Sequence, residues 1–368
     1  MTDKRLTELA KSLPASVPFV GPEAMERARG AAFQSRLGAN ESVFGPSPRA
    51  VEAMAKAASE AWKYGDPEMN DLRQALAAHH EIDAKHIIVG EGIDGLLGLV
   101  ARLVVSPGDR VVTSAGAYPT FDYHVAGFGG EIVRVPYRND AEDPAALLSK
   151  ATEVRAKLIY WSNPDNPMGT WHPAGVVSRA ISHVPPGALL VLDEAYIDTA
   201  PAGTAPALDP ADARVIRMRT FSKAYGLAGA RVGYAIGPTA LISAFDRVRN
   251  HFGMSRVSQA AAIAALSDQE HLAETLRAIQ ASRSELTRIA RENKLTALPS
   301  ATNFVTIDCG RDGSFAVLVL EGLLKRGIFV RKPMVPPLDR CIRVSCGRPE
   351  DMAAFSKALP EALEEASG

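Results

Sequence analysis

The stretch Val215-Ile-Arg-Met-Arg-Thr-Phe-Ser-Lys-Ala-Tyr-Gly226 places two hydroxyl residues and a lysine directly after a predicted β-strand, Val215–Arg219. The region just beyond the carboxyl end of a strand is where α/β sheets bind their ligands. An amine that is partly desolvated there can have a lowered pKa and react as a nucleophile. Lys223 is therefore a candidate catalytic residue, although a solvated lysine at a helix start would show the same local sequence.

Six more strand-like runs precede and follow this segment, and they alternate with helical patterns. These runs are His86–Val89, Arg110–Thr113, Glu131–Val135, Lys157–Trp161, Ala188–Leu192 and Val232–Ile236. Alternating strands and helices favour a mostly parallel sheet that is covered on both faces. We therefore predict an α/β fold whose large domain contains a mostly parallel seven-stranded sheet sandwiched by helices.

The pattern changes after about residue 240, where an α+β arrangement is indicated. The helical segments are Val257–Leu266, Glu270–Lys294 and Asp351–Glu365, and the strand-like runs are Asn303–Asp308, Gly327–Arg331 and Cys341–Ser345. We predict an N-terminal arm over 1–39 that is part of a small domain. A large ligand-binding domain would follow over 40–245, and a small C-terminal α+β domain over 246–368.

The composition argues against several classes of partner. The chain has 368 residues and a formal net charge of −1, so no overall field draws it to nucleic acid or to an anionic membrane. No stretch approaches the roughly 20 apolar residues that a membrane-spanning helix needs. The three cysteines, Cys309, Cys341 and Cys346, match no metal-binding spacing and indicate reduced thiols. We therefore expect a cytoplasmic protein with no metal site.

A second strand, Ala188–Leu192, leads into Asp193-Glu-Ala-Tyr196. A carboxylate buried at such a strand end needs a partner. The protonated nitrogen of a pyridine cofactor would be one, and the pairing would make the ring a better electron acceptor. Asp193 could instead cap a following helix. It could also belong to the acidic strand of an ATPase, but that needs a phosphate loop with a Gly-Lys pair, which the chain lacks.

A rigid turn, Asn163-Pro-Asp-Asn-Pro-Met-Gly-Thr170, follows the predicted strand Lys157–Trp161. Proline and glycine at these positions are typical of a tight turn, and the segment could be no more than that. In a functional interpretation, the turn projects the amide of Asn166 toward a ligand oxygen. Three segments with candidate chemistry therefore each follow a predicted strand.

In this order, N-P-x-N-P-x-G-T, D-E-A-Y and S-K-x-x-G-L-x-G-x-R resemble the motifs of fold type I, class I and II aminotransferases, which depend on pyridoxal phosphate (PLP). The resemblance extends from Asn40 to Arg348. Within that family, Asn40–Pro48 and Tyr64–Pro67 are most similar to histidinol-phosphate aminotransferases. Those enzymes usually carry Asn-Pro, Pro and Phe at the four positions where this chain has Ser42-Val43, Gly65 and Asp198.

The resemblance implies roles for the residues around the PLP ring. Lys223 would bind the cofactor as a Schiff base and then move a proton during the reaction. Asp193 would pair with the ring nitrogen, and Asn166 and Tyr196 would hydrogen-bond to the ring hydroxyl. Phe121 would stack on the ring. The catalytic residues would thus be Lys223, Asp193 and Tyr196.

One glycine-rich segment fits two cofactors. Gly90-Glu-Gly-Ile-Asp-Gly95 satisfies the G-x-G-x-x-G pattern of dinucleotide-binding folds, between a predicted strand and a predicted helix. That pattern also needs an acid at the end of the next strand, whereas Asp109 precedes the strand Arg110–Thr113. The segment also resembles the aminotransferases' phosphate turn, which would bind PLP at a helix N-terminus through Gly92, Ile93 and Asp94. The resemblance adds three further phosphate contacts, Thr220, Ser222 and Arg231.

The substrate-binding residues that the resemblance implies are Asn40, Arg331 and Arg343. Arg343 would hold a substrate carboxylate as a bidentate fork. If the substrate is histidinol phosphate, Arg331 or Arg343 would meet a phosphate instead, although a surface salt bridge explains Arg331 equally well. Tyr64 would reach the cofactor of a neighbouring subunit, so the resemblance implies a homodimer.

The predicted function is PLP-dependent amino transfer. The enzyme would move an amino group from histidinol phosphate or an aromatic amino acid to a 2-oxo acid such as 2-oxoglutarate by a ping-pong mechanism. Two alternatives stay open at this point. One is a PLP-dependent decarboxylase that acts on threonine phosphate, and the other is an NAD-dependent dehydrogenase that uses the glycine segment.

Overall fold

The computed structural model describes residues 4–14 and 20–368. Within these ranges the strands are β1 Ser35–Arg36, β2 Ile87–Gly90, β3 Arg110–Ser114, β4 Glu131–Val135, β5 Leu158–Ser162, β6 Leu189–Asp193, β7 Val215–Thr220, β8 Gly233–Ile236, β9 Thr296–Ala297, β10 Phe304–Asp308, β11 Ile328–Phe329 and β12 Cys341–Ser345. The α-helices are α1 Glu8–Ser12, α2 Pro22–Arg29, α3 Pro48–Ala58, α4 Asn70–His80, α5 Gly92–Val104, α6 Pro119–Gly127, α7 Pro144–Val154, α8 Ala174–Ser182, α9 Thr239–Ala244, α10 Arg256–Ser267, α11 Gln269–Glu292, α12 Gly313–Lys325 and α13 Pro349–Ser367.

The large sheet contains seven strands in the order β2-β8-β7-β6-β5-β3-β4. β8 is antiparallel to both of its neighbours, and the other adjacent strands pair in parallel. The prediction of a mostly parallel seven-stranded sheet is therefore confirmed. Because β5, β6 and β7 are adjacent and parallel, their carboxyl ends meet at one edge of the sheet, where such folds bind ligands.

Helices cover both faces of this sheet, and the two-residue periodicity of a strand decides which side chain meets which helix. Leu158 and Tyr160 of β5 pack in one cluster with residues of α5 and α6. Ile159 and Trp161 of the same strand pack with residues of α7 and α8. All four are buried, and burial of Leu158 or of Ile159 stabilises the fold by roughly 1.5–3 kcal/mol. Burial on both faces explains the continuous apolar run in the sequence.

A smaller antiparallel sheet has the order β12-β10-β9 and packs against α11, α12 and α13. Its buried side chains include Val305, Ile307 and Val344. A separate parallel pair, β1 with β11, connects the segment before residue 40 to this unit, and Leu37 lies in its core. These contacts support an N-terminal arm that is part of the small domain. Residues 1–3 and 15–19 of the predicted arm lie outside the described residues.

Two elements differ from the sequence-based expectation. The run Gly327–Arg331 forms only the short β11 and an isolated bridge between Arg331 and Arg343. Pro333 follows closely, and it lacks the N–H that a longer ladder would need. Helix α10 packs in one cluster with β2 and β8 of the large sheet. We therefore propose that the domain boundary lies at the α10–α11 junction, near Asp268, instead of between residues 245 and 246.

Candidate active site

Lys223 lies just past the end of β7, and its amine is enclosed by protein. Nζ donates a hydrogen bond to the carbonyl oxygen of Asn40 at 3.2 Å and lies 5.5 Å from the centre of the Tyr196 ring. Burial lowers the Lys223 pKa to about 8, and the nearby charge of Arg343 acts in the same direction. A lowered pKa increases the neutral fraction of the amine near pH 7, and the neutral amine is the nucleophile.

Asp193, at the end of β6, is a buried carboxylate whose direct partners are neutral. The residue is 5% exposed. Oδ2 accepts a hydrogen bond from the Tyr160 hydroxyl at 2.7 Å, and Oδ1 accepts one from the Ala195 amide at 2.9 Å. Burial raises the Asp193 pKa to about 6. An opposite charge nearby favours the ionised form of such a carboxylate, so Asp193 is suited to a cationic ligand group.

Asn40 connects Lys223 to Tyr196, although it is far from both in the sequence. Its side-chain amide donates to the Tyr196 hydroxyl at 3.0 Å, while its carbonyl oxygen accepts from Lys223. Its Oδ1 accepts from the Ser345 hydroxyl at 3.1 Å, and its φ is +55°. Asn tolerates this left-handed conformation better than most residues. Asn40 therefore holds the lysine and the tyrosine in place, and its contact with substrate stays a prediction.

Arg343, on β12 of the small sheet, reaches the turn that follows β5. One terminal nitrogen donates to Oδ1 of Asn166, and the other donates to the carbonyl oxygen of Gly38 at 3.0 Å. Its Nε is buried and has no hydrogen-bond partner among the described residues. Burial lowers the Arg343 pKa, but a guanidinium stays charged at neutral pH. The structure thus brings together Arg343 and Asn166, and the cationic group can bind an anion.

Arg331 lies beside Arg343, since the two residues exchange backbone hydrogen bonds. Its guanidinium donates to the carbonyl oxygen of Val20 and lies 5.0 Å from the centre of the Phe329 ring. Neither arginine forms an ion pair with a carboxylate in the part of the chain that the structure describes. The salt-bridge explanation for Arg331 is therefore not supported, and two unpaired cationic groups lie next to each other.

The start of α5 and the side chain of Arg231 form a corner suited to an anion. α5 begins at Gly92, which has a φ of +77°, and a Cβ there would lie 2.4 Å from Nη2 of Arg231. The positive φ favours glycine, and a larger residue would also require the Arg231 guanidinium to shift. Arg231 donates to the carbonyl oxygens of Ala228 and Glu91 and forms no ion pair with another described residue. Backbone amides at a helix start and a guanidinium that has no acidic partner together favour the binding of a phosphate.

The side chains of Asp94 and Thr220 are engaged within the protein. The Thr220 hydroxyl is 3.0 Å from Oγ of Ser222 and 3.2 Å from the carbonyl oxygen of Val232. It therefore orients Ser222. The Asp94 carboxylate lies 3.1 Å from Nε2 of His124, and this hydrogen bond lowers the Asp94 pKa. At the helix start, the backbone amides of Ile93 and Asp94 are thus the available donors.

Phe121 has no exposed surface, which argues against its predicted stacking on a cofactor ring. Its ring stacks instead on Tyr160, with centres 4.6 Å apart. A side chain enclosed in the core cannot present a face to a ligand.

Sequence reasoning missed Tyr118, immediately before α6. Burial raises its pKa, and the charges of Asp94, Asp193 and Arg231 also act on it. The signal available in the sequence was a second aromatic residue just before Pro119, the first residue of α6.

Tyr64 lies on the surface of the described chain. It is 77% exposed, and its ring centre is 4.8 Å from that of Phe252, which is 54% exposed. Trp62, two residues away, is 81% exposed. Large aromatic side chains that are exposed together are typical of a protein–protein interface.

A family model for aminotransferase class I and II matches residues 34–359 of the chain. The chain belongs to this aminotransferase family. Histidinol-phosphate aminotransferase 1 of Mesorhizobium japonicum is 36% identical over 369 residues, and the match covers 98% of this chain and 99% of that protein.

Two solved structures relate the fold to this family. Histidinol-phosphate aminotransferase from Sinorhizobium meliloti, crystallised in complex with pyridoxal-5′-phosphate, is 51% identical with a TM-score of 0.96, and the match covers 99% of this chain and 98% of that one. Aspartate aminotransferase from Thermus thermophilus with maleate has a TM-score of 0.82 at 22% identity, covering 97% of this chain and 99% of that one. The second likeness shows a shared fold.

Membership of the aminotransferase family confirms the predicted enzyme class and disfavours the dehydrogenase alternative. The dinucleotide interpretation of Gly90–Gly95 is therefore not favoured, and its role as a phosphate turn stays a prediction. None of the helices in the described ranges combines the length and apolar character that crossing a bilayer would require. Among the same residues, no group of three or more His, Cys, Asp or Glu side chains is placed to hold a metal ion.

Proposed function

We propose that this aminotransferase uses PLP, bound covalently through Nζ of Lys223, with Asp193 facing the ring nitrogen. The observation that carries the proposal concerns two adjacent strands: β6 ends in the buried acid Asp193, and β7 is followed three residues later by Lys223, whose pKa is lowered. The Sinorhizobium meliloti relative, crystallised with PLP, supports the same cofactor here.

The residues present fit PLP at both of its ends. At one end, Gly92 leaves space beside Arg231, and this guanidinium has no acidic partner among the described residues. Such a corner suits the cofactor phosphate, with Ser222 and the amides of Ile93 and Asp94 as further donors. At the other end, Asp193 has neutral hydrogen-bond partners only, which suits the protonated ring nitrogen.

PLP supplies an electron-withdrawing ring that stabilises negative charge at the substrate Cα. The chain's own residues then supply orientation and proton transfer. Nζ of Lys223 can accept the proton of the substrate Cα and return it, because its lowered pKa makes both directions accessible near neutral pH. Asn166 and Tyr196 would hold the ring hydroxyl. We assign the stacking role to Tyr118 in place of Phe121.

The substrate pocket combines Arg343 with Arg331. Because a guanidinium binds carboxylate and phosphate groups as a fork, these two residues favour an anionic donor and an anionic acceptor. Histidinol phosphate, or an aromatic amino acid, is the donor that we propose, and a 2-oxo acid such as 2-oxoglutarate is the acceptor. One pocket would serve the two substrates in turn, which gives ping-pong kinetics. The Mesorhizobium japonicum and Sinorhizobium meliloti relatives support the first donor.

The test is Lys223→Ala, with the exposed lysine variant Lys357→Ala as the control. Lys223→Ala should lower kcat by about 10⁴-fold or more, because no other residue at the site carries an amine. Absorption spectra with histidinol phosphate, phenylalanine and glutamate would identify the donor, since only a donor converts the bound cofactor. Near-normal turnover in Lys223→Ala would contradict the assignment of Lys223 as the catalytic lysine. Carbon dioxide release from threonine phosphate, without amino transfer, would favour the decarboxylase alternative.

We also propose a homodimer in which Tyr64 contacts the cofactor phosphate of the partner subunit, in a cytoplasmic enzyme. The exposed aromatic residues Trp62, Tyr64 and Phe252 support this interface. Sedimentation velocity at micromolar concentration should show a dimer for the wild type and weaker association for Phe252→Ala. A monomeric, fully active wild type would contradict the interface. Fractionation of cells would test the cytoplasmic location.

A further inference from the structure

Tyr160 is a wholly buried tyrosine in the middle of β5, next to the strand that carries Asp193. The residue has no exposed surface, and its Cα partner across the ladder is Val191 of β6. Asp193 is two residues beyond Val191, so both side chains are on the same face of the sheet. The hydroxyl therefore reaches Oδ2 of the carboxylate, at 2.7 Å.

The ring of Tyr160 is held in place by Phe121. The two rings are stacked, with centres 4.6 Å apart and planes 19° apart. Phe121 is itself fully buried at the start of α6. Full burial and the stacking contact leave the hydroxyl few other positions, so the hydrogen bond to Asp193 is preorganised.

The direction of this hydrogen bond is fixed by chemistry. Burial raises the Tyr160 pKa well above its usual value, so the hydroxyl stays protonated and donates. The other oxygen of Asp193 accepts the Ala195 amide. Two donors directed at one carboxylate stabilise its ionised form and oppose the effect of burial.

We propose that Tyr160 is a positioning residue that orients the Asp193 carboxylate and keeps it ionised toward the ring nitrogen of the cofactor. Phe121 acts one step further away, by holding the Tyr160 ring. This inference rests on the proposed function, because it assumes that Asp193 faces the ring nitrogen. It assigns Phe121 a role behind the carboxylate instead of on the cofactor.

The experiment is Tyr160→Phe in the PLP-loaded enzyme, with Tyr234→Phe as the matched control. Tyr234 is a buried tyrosine on β8 of the same sheet, and its hydroxyl bonds Nε2 of His80 at 2.8 Å. Each variant thus loses one buried hydroxyl, but only Tyr160→Phe changes the surroundings of Asp193.

Tyr160→Phe should raise the dissociation constant of PLP about tenfold and lower kcat about tenfold, with little change in the KM of the donor. Without the hydroxyl, Asp193 is more basic and draws the proton from the ring nitrogen. The ring then carries less positive charge near the Lys223 nitrogen. The pH midpoint of the bound cofactor's visible absorption should therefore move up by about one unit. Tyr234→Phe should leave all these values unchanged.

The outcomes separate this inference from the proposed function. A wild type without any PLP absorption would contradict the proposed function itself. A wild type that binds PLP, together with an unchanged pH midpoint and PLP affinity in Tyr160→Phe, would overturn only the role of Tyr160. If Tyr160→Phe does not fold, Phe121→Leu serves instead, since it keeps the hydroxyl but loosens the ring. It should move the midpoint in the same direction by a smaller amount, and an unchanged midpoint would overturn the inference.

Discussion

Asp193 and Glu194 are consecutive residues at the end of β6, both buried, yet they have opposite electrostatic surroundings. Asp193 accepts hydrogen bonds from neutral groups, the Tyr160 hydroxyl and a backbone amide. Glu194 is 1% exposed and contacts two guanidinium groups, that of Arg217 at 2.6 Å and that of Arg219 at 2.9 Å. The alternation of side chains along a strand places one carboxylate on each face of the sheet.

The difference in surroundings appears in the two pKa values. Burial raises the Asp193 pKa to about 6. Burial also acts to raise the Glu194 pKa, but the charges of Arg219 and Arg217 outweigh it and lower the pKa. Glu194 is thus satisfied inside the protein, whereas Asp193 keeps the capacity to pair with a cation that a ligand brings. A buried carboxylate with a raised pKa and no charged partner, such as Asp193, is characteristic of a functional site.

The largest effect that we expect from this comparison is on catalysis. Asp193→Asn should lower kcat/KM by about 10³-fold, because a neutral amide cannot stabilise a protonated ring nitrogen. The protein should still fold, since the amide oxygen of Asn can accept from the Ala195 N–H, and the Tyr160 hydroxyl can rotate to accept from the amide nitrogen. Steady-state kinetics and the cofactor spectrum measure the first effect, and thermal unfolding measures the second. Activity within threefold of the wild type would refute the functional part of the comparison.

The strands that deliver these residues could be predicted from the sequence, because burial on both faces makes each an uninterrupted apolar run. Each of the seven strands of the large sheet begins and ends within one residue of the bounds predicted for it. The motifs after β5, β6 and β7 then converge because parallel neighbours end at one edge. Local pattern and topology together were thus sufficient to predict that Asn166, Asp193 and Lys223 follow neighbouring strand ends, whereas their roles stay predictions.

What the sequence could not supply was the orientation of side chains on irregular backbone and the contacts between distant segments. Phe121 and Tyr118 are both aromatic and three residues apart, and only packing decides which one is enclosed. The hydrogen bonds of Asn40 to Tyr196 and Ser345 connect residues that are 156 and 305 positions apart in the chain. No periodicity in the chain encodes such contacts.

A smaller effect, on stability instead of activity, is expected on the other face of the sheet. Glu194→Gln should lower the free energy of unfolding by about 3 kcal/mol, because it leaves two largely buried guanidinium groups without a counter-charge. The matched control is Glu285→Gln, which breaks an ion pair with Arg288 in which both side chains are more than a third exposed. Such a pair contributes about 1 kcal/mol or less. Chemical denaturation measures both variants.

The smallest effect is the pH dependence of stability in the cofactor-free protein, and its sign differs between the two carboxylates. The Asp193 pKa is raised in the folded state, so its contribution to stability is fully present below the unfolded pKa of 3.8 and is lost as pH rises through about 6. The Glu194 pKa is lowered, so its contribution is present above 4.5 and is lost as pH falls through the folded value. The stability difference between wild type and Asp193→Asn should therefore fall between pH 4 and pH 6, while that for Glu194→Gln should fall only toward lower pH. If the stability difference had the same slope against pH for both variants, the two faces of β6 would be electrostatically alike. The distinction between Glu194, which is paired within the protein, and Asp193, which can pair with a ligand, would then not hold.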